Sequence, residues 1–316
     1  MDNQNELERL KKSYHEIEIP DELATVTLKG IERGKQHRNR VKGRSRWVTR
    51  VGVSAAAVLA VFTISVNTMP AFAASLEDVP GLGKLVKILQ FNKGSAQGGK
   101  IQESTDINFI TLNKQDNSDS IVLNFARDNK AQQEASYFDV RFTEYPNTMT
   151  FTVGGARKFS AVKDFETLKQ SKYIVDAYEI VSADDTMIRF NVTFKEPVAY
   201  EVKEYKDPAQ VVITLTSDPK KSGASSENQP PVYAVRTASH VYGEAQSVAE
   251  ETLIDVANVR VLKDKQGTYF VEAGHFKTEA EALAHMKQIK SDYGITEPLF
   301  IEQREYLQIP EAIAEE

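Results

Sequence analysis

The chain contains no cysteine. That excludes disulfide staples, thiolate metal sites and cysteine nucleophiles together, so any exported portion must rely on sizeable apolar cores. A second absence is local: no Asp, Glu, Lys or Arg lies between Val51 and Leu76. A bilayer's hydrocarbon layer is about 30 Å thick, and a helix crosses it in about 20 residues. Three readings compete for this run: a membrane-crossing helix over 47–70, a buried core helix, or a signal peptide cleaved near Ala71-Phe72-Ala73. A core helix of this length would carry charge on one side. A leader would not be preceded by fifty residues rich in polar side chains. An uncleaved span is therefore the expectation.

Catalytic motifs are missing as well. There is no Gly-x-Ser-x-Gly elbow, phosphate-binding loop or His-Glu-x-x-His. Ser160-Ala161-Val162-Lys163 fits Ser-x-x-Lys but has no companion motif. His240, His275 and His285 stand isolated, as packing or surface histidines do. No enzyme activity, cofactor or metal is expected.

What is present is a charge asymmetry. The net charge of −6 divides into 12 Lys/Arg against 8 Asp/Glu over residues 1–76, and 27 against 37 over the rest. Lys29, Arg33, Lys35, Arg38, Arg40, Lys42, Arg44, Arg46 and Arg50 precede the uncharged run, and Glu77 and Asp78 follow it. Basic flanks resist translocation, which predicts a plasma-membrane protein with a cytoplasmic N-terminus and an extracytoplasmic C-terminus. The same basic run fits a nucleic-acid patch. Its place beside the apolar run accounts for it, so no nucleic-acid partner is expected.

Within 1–46, Leu7, Leu10, Tyr14 and Ile17 form one helical stripe, and Pro20-Asp21-Glu22 opens a second helix bearing Leu23 and Val26. Two readings stay open: a loosely folded tail, or a helix-in-groove ligand for a cytosolic partner. Residues 71–94 predict an amphipathic interfacial helix through Leu82, Leu85, Val86 and Leu89. Residues 95–104 read as a Gly/Ser linker. Residues 105–217 alternate in the manner of strands, with a turn at Ala183-Asp184-Asp185, predicting an antiparallel sandwich. Residues 218–231 form a second linker by composition.

Residues 232–303 read strand, helix, strand, strand, helix, strand, leaving 304–316 as a tail. Alternation puts Tyr233, Val235, Thr237, Tyr269, Val271 and Ala273 on one face, with Ala234, Arg236, Phe270 and Glu272 on the other. If the first face packs on the helices, the second is open. Phe270 could then stack on a sugar while Arg236, Ser239 and Glu272 bond its hydroxyls. A solvated sheet with one exposed aromatic is the alternative.

Ile19-Pro20-Asp21-Glu22-Leu23, Val66-Asn67-Thr68-Met69-Pro70-Ala71-Phe72-Ala73 and Val79-Pro80-Gly81-Leu82-Gly83-Lys84-Leu85-Val86 resemble the N-terminal module of a bacterial family that includes transmembrane anti-sigma factors sensing lysozyme or envelope stress. The resemblance implies a sigma factor held on the cytoplasmic side, with Leu7, Leu10, Tyr14, Ile17, Leu23 and Val26 as its contacts. The stretches Tyr233 to Ser239 and Tyr269 to Phe276, each followed by a helix, resemble the SPOR domain, which implies binding to peptidoglycan glycan strands. Thr186 to Phe190 and Pro208 to Ile213 loosely resemble an AMIN envelope domain. The fold class expected is an α+β multidomain single-pass membrane protein. It would comprise a short helical cytoplasmic segment, one transmembrane helix, an extracytoplasmic β-sandwich and a βαββαβ SPOR-like domain. The function expected is an envelope-stress regulator of anti-sigma type, with a non-regulatory peptidoglycan-binding envelope protein as the alternative.

Overall fold

The computed structural model describes residues 84–89, 94–182, 184–218 and 229–314, all within one compact unit. Twelve strands build its first part. β1 (Lys84–Leu89), β3 (Thr105–Lys114), β4 (Asp119–Arg127), β5 (Lys130–Ala131), β8 (Ala156–Lys158), β11 (Val198–Lys206) and β12 (Gln210–Ser217) form one sheet, ordered β1-β11-β12-β4-β3-β8 with β5 paired to β4. β2 (Gly94–Gly98), β6 (Phe138–Thr143), β7 (Thr148–Gly154), β9 (Ile174–Ile180) and β10 (Met187–Phe194) form a second, ordered β2-β6-β7-β10-β9. A one-turn helix, α1 (Phe165–Leu168), closes one end.

Strand alternation explains the core. Along β10, Ile188, Phe190, Val192 and Phe194 point inward against Ile121, Leu123, Phe125 and Ile213 of the facing sheet's strands. Phe190 lies opposite Phe151 in register, their rings stacked 4.5 Å apart. Two left-handed glycines sit where the chain presses on itself: Gly99 (φ +66°) against Ser136 and Gly155 (φ +74°) against Gln102. A Cβ at either would lie within 2.2 Å of a backbone carbonyl oxygen.

The third sheet, ordered β14 (Arg260–Lys263), β15 (Tyr269–Phe276), β13 (Val232–Arg236), β16 (Phe300–Arg304), carries α2 (Glu244–Glu251) and α3 (Glu279–Tyr293) on one face. Thr278 caps α3 with a reciprocal Thr278/Glu281 capping box, and Gly294 ends it in the left-handed region. Val235, Val271 and Ala273 pack beneath the helices together with Ala249, Leu253, Ala282 and Ile289. Tyr178 and Ile180 of β9 belong to this same cluster. Strand β9, within residues 105–217, therefore lends two side chains to the core of residues 232–303.

The expected fold class is corrected. The described residues are mainly β, and among them no helix is long and apolar enough to cross a membrane. The helical segment 1–46 and the span 47–70 lie outside the described residues. The amphipathic helix expected near Leu82–Leu89 is strand β1, paired with β11 from Lys84↔Lys206 to Leu89↔Val202. Six residues cannot hold a helix in water on their own, and an open sheet edge offers them main-chain partners. The linker expected over 95–104 likewise begins as β2, an edge strand on β6.

Candidate functional site

The face of the third sheet opposite its helices carries a buried charge cluster. Arg236 (β13), Phe270 and Glu272 (β15) share that face by alternation, and Arg260 (β14) and Arg304 (β16) join them from the neighbouring strands. Phe270 and Arg236 are 0% exposed and Glu272 is 1% exposed. The Arg260 guanidinium donates to Glu272 Oε1 from Nε at 2.9 Å, and one of its terminal nitrogens lies 2.7 Å from the same oxygen as an ion pair. Arg304 donates to Glu272 Oε2 at 2.5 Å and to Glu302 Oε2 at 2.6 Å. Arg236 donates to Glu302 Oε2 at 2.9 Å and to Ser239 Oγ at 2.7 Å. Its guanidinium lies 3.4 Å from the Phe270 ring centroid, with that of Arg304 at 5.7 Å.

Two other parts of the chain cover this face. The β6–β7 hairpin presents the Tyr145 carbonyl, which accepts from Arg304 at 2.6 Å and from Arg260 at 2.7 Å. Thr143 Oγ1 accepts a further bond from Arg260 at 2.6 Å. From the other side comes the segment after β16, whose Glu311 carbonyl accepts from Arg236 at 3.0 Å.

The electrostatics follow from burial and pairing. Burial alone would push the Glu272 carboxyl up, but Arg260 and Arg304 overcome it and hold the group well below the usual carboxylate range. Burial pulls the Arg236 and Arg260 guanidiniums down, whereas in Arg304 the charges of Glu272 and Glu302 outweigh burial and raise it. Three guanidiniums face two carboxylates, and Arg304 Nε has no hydrogen-bond partner. The His275 ring also reaches this cluster, its Nδ1 lying 3.4 Å from Glu272 Oε1. The arrangement clamps the hairpin, the sheet and the C-terminal segment into one body. Among the described residues there is no group of three His, Cys, Asp or Glu placed to hold a metal.

Of the four residues named from the sequence for a glycan, Arg236, Phe270 and Glu272 share one buried face, and Ser239, half-buried in the segment after β13, bonds Arg236. A sugar ring has no access to Phe270 while Arg236 stacks on it and Tyr145 and Glu311 lie over the rim. Leu7, Leu10, Tyr14, Ile17, Leu23 and Val26 lie outside the described residues. Sequence reasoning missed Arg260, Arg304, Glu302 and Tyr145. The available signal was an arginine at the end of each of two strands, Arg260 opening β14 and Arg304 closing β16, where a buried charge must find a partner.

Residues 43–125 match a family described as a domain of unknown function (DUF4179). The chain is also 23% identical over 229 residues to the anti-sigma-V factor RsiV of Bacillus subtilis (strain 168), covering 68% of this chain and 75% of that protein. The chain is thus similar to an anti-sigma factor at a distance. No solved structure matches it.

Proposed function

We propose that this chain is a regulator of anti-sigma type, in which residues 1–46 hold a sigma factor and residues 84–314 receive the signal that releases it. The similarity to an anti-sigma factor over 229 residues carries the reading, since it extends far beyond the N-terminal motifs. Leu7, Leu10, Tyr14, Ile17, Leu23 and Val26 supply the apolar stripes that a groove on the sigma factor would take up. An envelope location for residues 84–314 is supported by the charge asymmetry of the sequence. The clamped junction supports a receiver that responds as a single body. Docking on peptidoglycan glycan strands is a subordinate part of the proposal. It would use a surface other than Arg236, Ser239, Phe270 and Glu272, and sedimentation of the full-length chain with purified cell wall tests it.

The main test is co-purification of the tagged full-length chain after cross-linking in cells, read by mass spectrometry. A sigma factor should be recovered with the natural sequence and lost from a Leu10→Asp, Tyr14→Asp double variant. No sigma factor at all, or equal recovery with the variant, refutes the proposal.

A further inference from the structure

Residues 309–313 run along the third sheet without forming helix or strand, and they are held mainly through their own backbone. Lys265 N donates to the Pro310 carbonyl at 3.0 Å, and Arg236 to that of Glu311 at 3.0 Å. The amide of Ala312 donates to Gln266 Oε1 at 2.9 Å. Ser239 N donates to the Ile313 carbonyl at 2.7 Å, and the Ile313 amide returns a bond to Ser239 Oγ at 3.1 Å. Four consecutive residues are therefore read by main-chain contacts, which any extended segment of suitable shape reproduces.

Selectivity comes from three side chains. Ile309 sits at a cleft of about 380 Å³ lined by Pro146, Val175, Tyr178 and Lys263. Pro310 is buried. The Glu311 carboxylate is exposed, pairs with Lys265, and accepts from Gln266 Nε2 at 2.9 Å. The nearby carboxylates are already engaged: Asp264 closes its own turn on Gln266 and Thr268, and Asp176 pairs with Lys169 and Lys263. Lys265 is thus left to favour an acid at the third position.

The geometry points to this track as a docking site for an extended, acidic segment of a partner protein, of the pattern aliphatic–Pro–acid, which residues 309–313 of the chain itself occupy as a built-in competitor. Binding and self-occupancy exclude one another because both use the same carbonyl and amide positions. This inference stands apart from the sigma-factor reading and survives its failure.

The probe is a dye-labelled, end-blocked hexapeptide of sequence Ile-Pro-Glu-Ala-Ile-Ala, titrated by fluorescence anisotropy. The full chain ended at Gln308 should bind it saturably, with affinity at least about tenfold weaker when the peptide's Glu is Lys. The intact chain should bind the probe far more weakly than the shortened one. Glu311→Lys in the intact chain removes the resident segment's exposed ion pair and should raise probe affinity a few-fold above that of the natural chain. That variant keeps the test decisive should the shortened chain fail to fold. A folded shortened chain or Glu311→Lys variant that ignores the probe overturns the inference. So does an intact chain that binds the probe as tightly as either, or a Glu-to-Lys probe that binds equally.

Discussion

Replacing Glu272 by Gln removes the carboxylate on which Arg260 and Arg304 converge, while keeping the side chain's shape. Both guanidiniums are then left interior with their main counter-charge gone. Deleting one partner of a buried ion pair costs about 3–5 kcal/mol, because the surviving charge has lost water and gained nothing. In a unit of this size each kcal/mol shifts the melting temperature by about 2–4 °C, so a drop of roughly 10 °C is expected. Urea denaturation followed by far-ultraviolet circular dichroism reads the loss directly. A dependence on pH separates the charge from mere packing. The folded pKa of Glu272 lies below its unfolded value, so its contribution is fully present above the unfolded carboxylate value of about 4.3 and fades as pH falls towards the folded one. The gap between the natural protein and Glu272→Gln should be present at neutral pH and narrow below about pH 4.5. A gap under about 1 kcal/mol at neutral pH, or one of unchanged width down to about pH 3, refutes the assignment of Glu272 as the hub of the clamp.

Two further substitutions probe the sandwich. Phe190→Ala removes a fully buried ring stacked on Phe151 and should cost about 3–5 kcal/mol in the same denaturation experiment. A loss below about 1 kcal/mol would mean that the two sheets close over the vacancy. Gly155→Ala forces a Cβ towards the Gln102 carbonyl and holds a left-handed backbone that alanine disfavours, so it should destabilise by at least about 1–3 kcal/mol. A neutral result there would show that residues 101–103 yield.

Much of the strand pattern was legible because half-buried strands write their burial into every second residue. Met187 to Phe194 reads as a strand from Ile188, Phe190 and Val192 alone, and β10 spans the same residues. The face assignment of Arg236, Phe270 and Glu272 was equally legible, since side-chain direction follows parity. Their burial was not. Tyr145 and Glu311 lie 91 and 75 residues from Arg236 in the chain, and periodicity reports which residues share a face, not what lies across it. The edge strands were hidden for a different reason. Gly94 to Gly98 has no branched or aromatic residue, so only the partner strand β6 makes it extended. Lys84 to Leu89 carries helical spacing that pairing with β11 overrides. Arg304 fell just past the last residue assigned to a strand, so its guanidinium was read as part of a solvated tail.

Strand β9 has a consequence for anyone who would cut or graft this protein. One of its sides faces the sandwich through Ile174 and Ala177, and the other gives Tyr178 and Ile180 to the interior beneath the helices. The C-terminal third is consequently no portable cassette. Excised and expressed alone, it would carry an unfilled hole where two borrowed side chains belong, and transplanted onto another scaffold it would need that foreign strand rebuilt beneath it.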